Sequence, residues 1–181
     1  MINLNMPLKE NDIRKLICGD LISLNGIIYT ARDAAHKRLI ECINSGEKLP
    51  FDIYDQGIYY VGPTPNKPGD IIGSAGPTTS YRMDDMTIPL LERGLRVMIG
   101  KGKRDQKVID SMQKNGAIYL AAIGGAGAYI SNSIVSCEIV AYEDLGAEAI
   151  RKLEVRDLQL VVAIDSYGND IYKTGRESYA K

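Results

Sequence analysis

The chain has 181 residues, with 22 Lys plus Arg against 23 Asp plus Glu, a formal net charge of −1. A composition of 45% hydrophobic and 25% charged residues is that of an ordinary folded domain and excludes a disordered chain. The absence of a long basic run argues against nucleic acid as the partner. No stretch reaches the roughly 20 apolar residues of a membrane span, and the first residues carry no leader pattern. One soluble, cytoplasmic domain over residues 1–181 is expected.

Residues 1–18 offer few apolar anchors and predict a leading strand or extended arm. Gly19 to Thr30 carries apolar residues on both sides of Asn25-Gly26, the strongest short-range hairpin signal, so a β-hairpin is expected there. From Ala31 to Asn44 the apolar residues Ala35, Leu39, Ile40 and Ile43 recur at helical spacing, with Thr30 or Asp33 to open the helix and Gly46 to stop it. Ile58 to Val61 reads as a strand, followed by a proline-punctuated loop from Gly62 to Pro68.

The middle third alternates. A short strand is expected at Asp70–Ser74, a helix from Ser80 to Arg93 before Gly94, and a strand at Leu95–Ile99. A helix from Asp105 to Lys114 before Gly116 and a strand at Ala117–Ile123 follow. Strands alternating with helices indicate parallel βαβ units. After Ser131, strands are expected at 137–142, 156–165 and 170–173, with a helix near Leu145–Leu153 and a turn at 166–169. The whole reads as an α/β domain whose last strands rejoin the first, in a mixed sheet or a barrel-like β layer.

Ligands on parallel α/β sheets bind at the carboxyl ends of the strands, which directs attention to the loops there. One runs Gly73-Ser74-Ala75-Gly76-Pro77-Thr78-Thr79-Ser80-Tyr81-Arg82. Its hydroxyls at a helix start are either simple caps or part of an anion site to which Arg82 adds a guanidinium. The second, Gly100-Lys101-Gly102-Lys103-Arg104, lacks the spacing and hydroxyl of a phosphate loop. It is either a solvated basic turn or a close-approach loop that frees the Lys101 ammonium. In the third, Gly124-Gly125-Ala126-Gly127, Ile130 stands where a dinucleotide fingerprint needs glycine, so a tight turn is the expectation. In Arg32-Asp33-Ala34-Ala35-His36-Lys37-Arg38, Arg32 and His36 share a helix face, as do Asp33 and Lys37, and His36 reads as structural. Cys18, Cys42 and Cys137 have no ligand spacing and read as buried thiols rather than metal ligands.

The Arg32–Arg38 segment, Gly76-Pro77-Thr78-Thr79 with Arg82-Met83-Asp84, and Gly100-Lys101-Gly102, in this order, resemble the class I fumarase and tartrate dehydratase family over roughly residues 10 to 175. The likeness is to the β subunit of its two-subunit members, equivalent to the C-terminal domain of the single-chain ones. It implies a swivelling β/β/α domain with a parallel βαβ core and an additional β layer. It also implies a hydro-lyase adding or removing water across a four-carbon dicarboxylate, fumarate/malate or tartrate or a methyl analogue. A [4Fe-4S] cluster held by a partner α subunit, in a hetero-oligomer, comes with the resemblance, with no metal ligand in this chain. Arg32, Arg82 and Lys101 would clamp carboxylates, Thr78 and Thr79 would lie against the substrate, and Thr78 and Lys101 would be catalytic. Lys103 could share the role of Lys101, and a partner residue that of Thr78. The rival is a non-catalytic small-anion binding or regulatory domain.

Overall fold

The computed structural model describes residues 1–122 and 127–177. Seven strands, β1 (Ile2–Asn5), β2 (Leu21–Thr30), β3 (Gly57–Tyr59), β4 (Val97–Gly100), β5 (Ile118–Ala122), β6 (Ile134–Ala141) and β7 (Ile150–Ile164), form one mixed sheet. The helices are α1 (Glu10–Ile13), α2 (Asp33–Ser45), α3 (Asp84–Leu91), α4 (Gln106–Asn115), α5 (Gly127–Asn132) and α6 (Ile171–Glu177). Strand order is β1-β2-β3-β4-β5-β7-β6, and β7 also pairs with β2, so β2-β3-β4-β5-β7 closes on itself. Strands β1 to β5 run parallel, and β7 runs antiparallel to β2, β5 and β6.

The period-2 alternation of the strands divides the interior into two hydrophobic clusters. Tyr59, Val97, Ile99, Ile118 and Leu120 join Ile22, Leu24, Leu158 and Leu160 in one. Their sequence neighbours Ile58, Tyr60, Met98, Tyr119 and Ala121 face the other, which is covered by Ala35 and Leu39 of α2, Leu90 and Leu91 of α3, and Val108, Ile109 and Met112 of α4. The expected parallel core is therefore present, and both α2 and α4 end where glycine predicts, at left-handed Gly46 (φ 73°) and Gly116 (φ 61°).

Four local expectations are corrected. Asn25-Gly26 makes no hairpin, because β2 runs straight through it. One edge of β2 is taken first by β1 and then by β3, and the other by β7, where a bulge at Asp157 (φ 51°) faces Asn25. The positive φ of Gly26 (98°) instead accommodates the Met6 backbone, whose oxygen would lie 3.0 Å from an added Cβ. Asp70–Ser74 is an irregular bend, tied to Thr64 by the Thr64 N–H donating to the Ser74 carbonyl and the Ser74 N–H donating to the Thr64 hydroxyl. The parallel ladder passes from β3 directly to β4 without it. Residues 145–153 are not a helix: a 3₁₀ turn at Glu143–Glu148 breaks at Gly146 (φ 58°, ψ −113°), and from Ile150 the backbone pairs with β6 and β2. Residues 170–173 make one bridge, Ile164 to Asp170, and then α6, whose Tyr172 N–H donates to the Asp170 carboxylate. There an N-terminal cap outweighs the strand propensity of Ile171 and Tyr172. Among the described residues no helix is long and apolar enough to cross a membrane.

Candidate active site

The parallel strands β2, β3 and β4 deliver their carboxyl ends to one place. Arg32 follows β2 at the start of α2, Tyr60 follows β3, and Lys101 follows β4. The chain then returns from the proline loop to lie between the last two. The Thr78 N–H donates to the Tyr60 carbonyl (2.7 Å), Thr79 bridges Lys101 in parallel register, and the Ser80 N–H donates to the Lys101 carbonyl (3.0 Å). A 3₁₀ turn, Ser80–Met83, carries Arg82 back across α2, where its guanidinium donates to Asp33 Oδ2 (2.9 Å). The same Asp33 oxygen lies 3.8 Å from Arg32 Nε. Arg32, Arg82, Thr78, Thr79 and Lys101 are thus joined by an unbroken series of contacts, although up to 69 positions separate them in sequence.

A buried polar network holds this surface from below. The Ser80 hydroxyl meets the Tyr119 phenol (2.9 Å), which donates to the Gly102 carbonyl (3.0 Å). Beneath them the fully buried Arg104 donates to Asp84 Oδ1 (2.5 Å) and to the Thr87 hydroxyl (3.1 Å), over the rings of Tyr60 and Tyr119. Asp84 also accepts the Asp105 N–H (2.8 Å), which fixes the start of α4 after the Lys101 loop. Gly100 is required here because a Cβ would overlap the Ser80 hydroxyl.

The threonines are not helix caps. Thr79 precedes the 3₁₀ turn without a side-chain cap bond, and α3 begins only at buried Asp84. The N–H groups of Thr78 and Ser80 are already spent on carbonyls, so the anion-binding capacity here resides in the side chains and not in a helix terminus. Arg82 Nε and Nη1 carry no hydrogen bond among the described residues, and the Arg82 side chain is 43% exposed. Lys101 and Lys103 are both exposed without an ion pair among the described residues, but it is the Lys101 backbone that is bonded to the threonine segment.

His36 does not share the exposed face with Arg32. It is buried, its Nδ1 faces the Arg32 carbonyl (3.1 Å), its ring stands edge-on to Tyr60, and burial pushes its pKa down to about 4. Asp33 pairs with Arg82 and not with Lys37. Glu148, which the sequence did not single out, reaches Arg32 from the connection between β6 and β7. Its Oε1 accepts from Arg32 Nε (3.0 Å), and its Oε2 accepts the Ala34 N–H (2.7 Å), capping α2 in place of Thr30 or Asp33. No local signal marks a cap supplied from 114 positions away. Of the third glycine loop, residues 123–126 lie outside the described residues. Cys18, before β2, Cys42 on α2 and Cys137 on β6 are half-buried free thiols, and no group of His, Cys, Asp and Glu among the described residues is placed to hold a metal. A cavity of about 290 Å³ lined by Pro63, Thr64, Ile72, Gly73, Cys137 and Arg151 is less suited to a dicarboxylate. The guanidinium of Arg151 is spent on the carbonyls of Gly146, Ala147 and Ala149.

Cations and hydroxyls, Arg82 and Lys101 exposed and Arg32, Thr78 and Thr79 half-buried, thus stand at the carboxyl ends of parallel strands of an α/β domain, a set chemically suited to an anion. The chain belongs to the fumarase C-terminus family, whose model matches residues 1–175. It is 41% identical over 172 residues to a protein provisionally named L(+)-tartrate dehydratase subunit β in Methanocaldococcus jannaschii, covering 92% of this chain and 88% of that one. It is 42% identical over 176 residues to the aerobic class I fumarate hydratase of Escherichia coli, and 36% over 178 residues to the mitochondrial fumarate hydratase 1 of Leishmania major. The chain spans about a third of each of those two enzymes, 32% of their length. All three names are those of hydro-lyases.

Proposed function

We propose that this chain is the β subunit of an iron–sulfur-dependent hydro-lyase that reversibly hydrates or dehydrates a four-carbon dicarboxylate in the cytoplasm, fumarate/malate first and tartrate or a methyl analogue next. It supplies the carboxylate-binding half of an active site shared with an α subunit. The observation that carries this reading is that one connected series of contacts joins Arg32, Arg82 and Lys101 with Thr78 and Thr79, with Arg82 and Lys101 exposed. Family membership and the subunit name of the archaeal relative support it. The closed strand run with helices over one of its clusters suits the swivelling β/β/α domain of that family.

A dicarboxylate presents two negative ends, and loss of the proton beside one of them builds enolate-like charge on that carboxylate. Fixed cations there stabilise the transition state more than the ground state. Arg82, whose Nη2 gives only one of its two hydrogens to Asp33, can take one carboxylate in a bidentate contact through the other hydrogen together with Nε or Nη1, and Arg32 and Lys101 can take the other and the developing charge. Thr78, held by its own N–H to Tyr60, stands against the substrate and serves as the base once neighbouring cations lower the cost of its alkoxide. Among the described residues no side chains are grouped to hold a metal; under this reading the [4Fe-4S] cluster belongs to the α subunit, and no step above runs through it. The test is reconstitution. The chain alone should be colourless and inactive, and anaerobic mixing with the cluster-bearing α subunit should give one complex that turns over fumarate, malate or tartrate. Robust turnover by the isolated chain would overturn the reading.

A further inference from the structure

We infer that Glu148 is a positioning residue that sets the Arg32 guanidinium for a substrate carboxylate, so that it governs substrate affinity without touching the substrate. The inference rests on the proposed carboxylate-binding role of Arg32. Glu148 Oε1 engages the Nε and Nη2 edge of that guanidinium (3.0 and 2.9 Å), while its Oε2 is held by the Ala34 N–H. With both oxygens committed, the carboxylate has no freedom to turn. On the opposite side, Arg32 Nη1 lies against Gly62, where an added Cβ would stand 2.7 Å from it. The guanidinium is therefore held by a carboxylate on its Nε and Nη2 edge and by a bare backbone beside Nη1, and the hydrogens that Glu148 does not take, on Nη1 and the second on Nη2, remain for a substrate carboxylate.

The peg that carries Glu148 is itself tied to α2 and β2. Arg38 pairs with Asp144 at the start of the same 3₁₀ turn. The Thr30 hydroxyl donates to the Ala149 carbonyl (3.2 Å) and accepts the Arg151 N–H (2.9 Å). Asp33 does not duplicate the role: it stands 3.8 Å from Arg32 Nε and gives its short contact, 2.9 Å, to Arg82. Each arginine thus has its own acid, and the pair of acids lets three cations share one surface. A guanidinium already in the binding geometry loses less freedom when the carboxylate arrives, and that gain appears in affinity.

The test uses the complex with the α subunit and its turnover of fumarate, malate and tartrate. Glu148→Gln, which keeps the size and one acceptor for the Ala34 N–H, should raise KM about tenfold or more with kcat changed less than about threefold. Gly62→Ala tests the same grip from the other side and should act in the same direction. In an Arg32→Gln background both substitutions should add less than about twofold, because the group they position is gone. An equal further loss in that background, or wild-type KM in both single variants, would overturn the inference. If Arg32→Gln alone left kcat/KM unchanged, the site reading itself would fall, and the positioning role with it.

Discussion

Replacing Gly100 by Ala should damage the site through Ser80. The added Cβ would overlap the Ser80 hydroxyl and stand 3.0 Å from Tyr60 Cδ2, while Ser80 Cβ at 3.4 Å is ordinary contact. Neither neighbour moves cheaply, since Ser80 is bonded to Tyr119 and to the Lys101 carbonyl, and Tyr60 is fully buried. Overpacking of this kind costs about 1–3 kcal/mol, and for a chain of this size about 2 kcal/mol lowers Tm by roughly 4–8 °C. Ser80→Ala alone removes one buried hydrogen bond, worth about 1 kcal/mol, and leaves the Tyr119 phenol its bond to Gly102. The double variant removes the overlap and should therefore cost at least about 1 kcal/mol less than the sum of the two single costs. Urea denaturation of the four proteins, followed by far-UV circular dichroism, measures this coupling. Additive losses would show that the Ser80 hydroxyl is not what Gly100 makes room for. In the complex, Gly100→Ala should also lower kcat/KM, because a displaced Ser80 carries the Thr79–Lys101 bridge with it.

The remaining predictions concern single side chains. Lys101→Ala should abolish most turnover while Lys103→Ala changes it little, as only Lys101 is bonded to the threonine segment; equal losses in steady-state assays would make the two lysines one functional unit. Arg82→Lys should lower kcat/KM by about 10²-fold, a few kcal/mol of lost bidentate contact, with Tm unchanged, and near-wild-type kinetics would remove Arg82 from the site. Burial holds the His36 pKa at about 4, so below its ordinary value of about 6.5 the unfolded chain takes up a proton that the folded chain refuses. Stability should accordingly fall as pH drops through that window, by roughly 3 kcal/mol in total at its lower end. Denaturation at pH 7.5 and 4.5 should show a smaller fall in a His36→Gln variant, and identical falls would sink the argument.

What the sequence determined by itself is the part of the molecule written in short-range physics. Continuous apolar runs in Val97–Ile99 and Ile118–Ala122, helical spacing in Ala35, Leu39 and Ile43, and glycines at 46 and 116 suffice for β4, β5, α2 and the ends of α2 and α4, because each signal acts within one or two turns of chain. The five residues expected at the site were legible for a related reason: they stand in loops at the ends of predicted elements, in motifs that resemble a known family. Only the tertiary structure decided where long-range partners meet. Asn25-Gly26 has the chemistry of a turn, yet β1, β3 and β7 claim both edges of β2, and pairing on both sides outweighs one local preference. Residues 150–153 fall at the end of the helix expected near Leu145–Leu153, yet they pair with β2 and β6. Glu148 has no local mark at all, since its contact with Arg32 exists only once β7 has closed on β2 and brought the preceding turn against the start of α2.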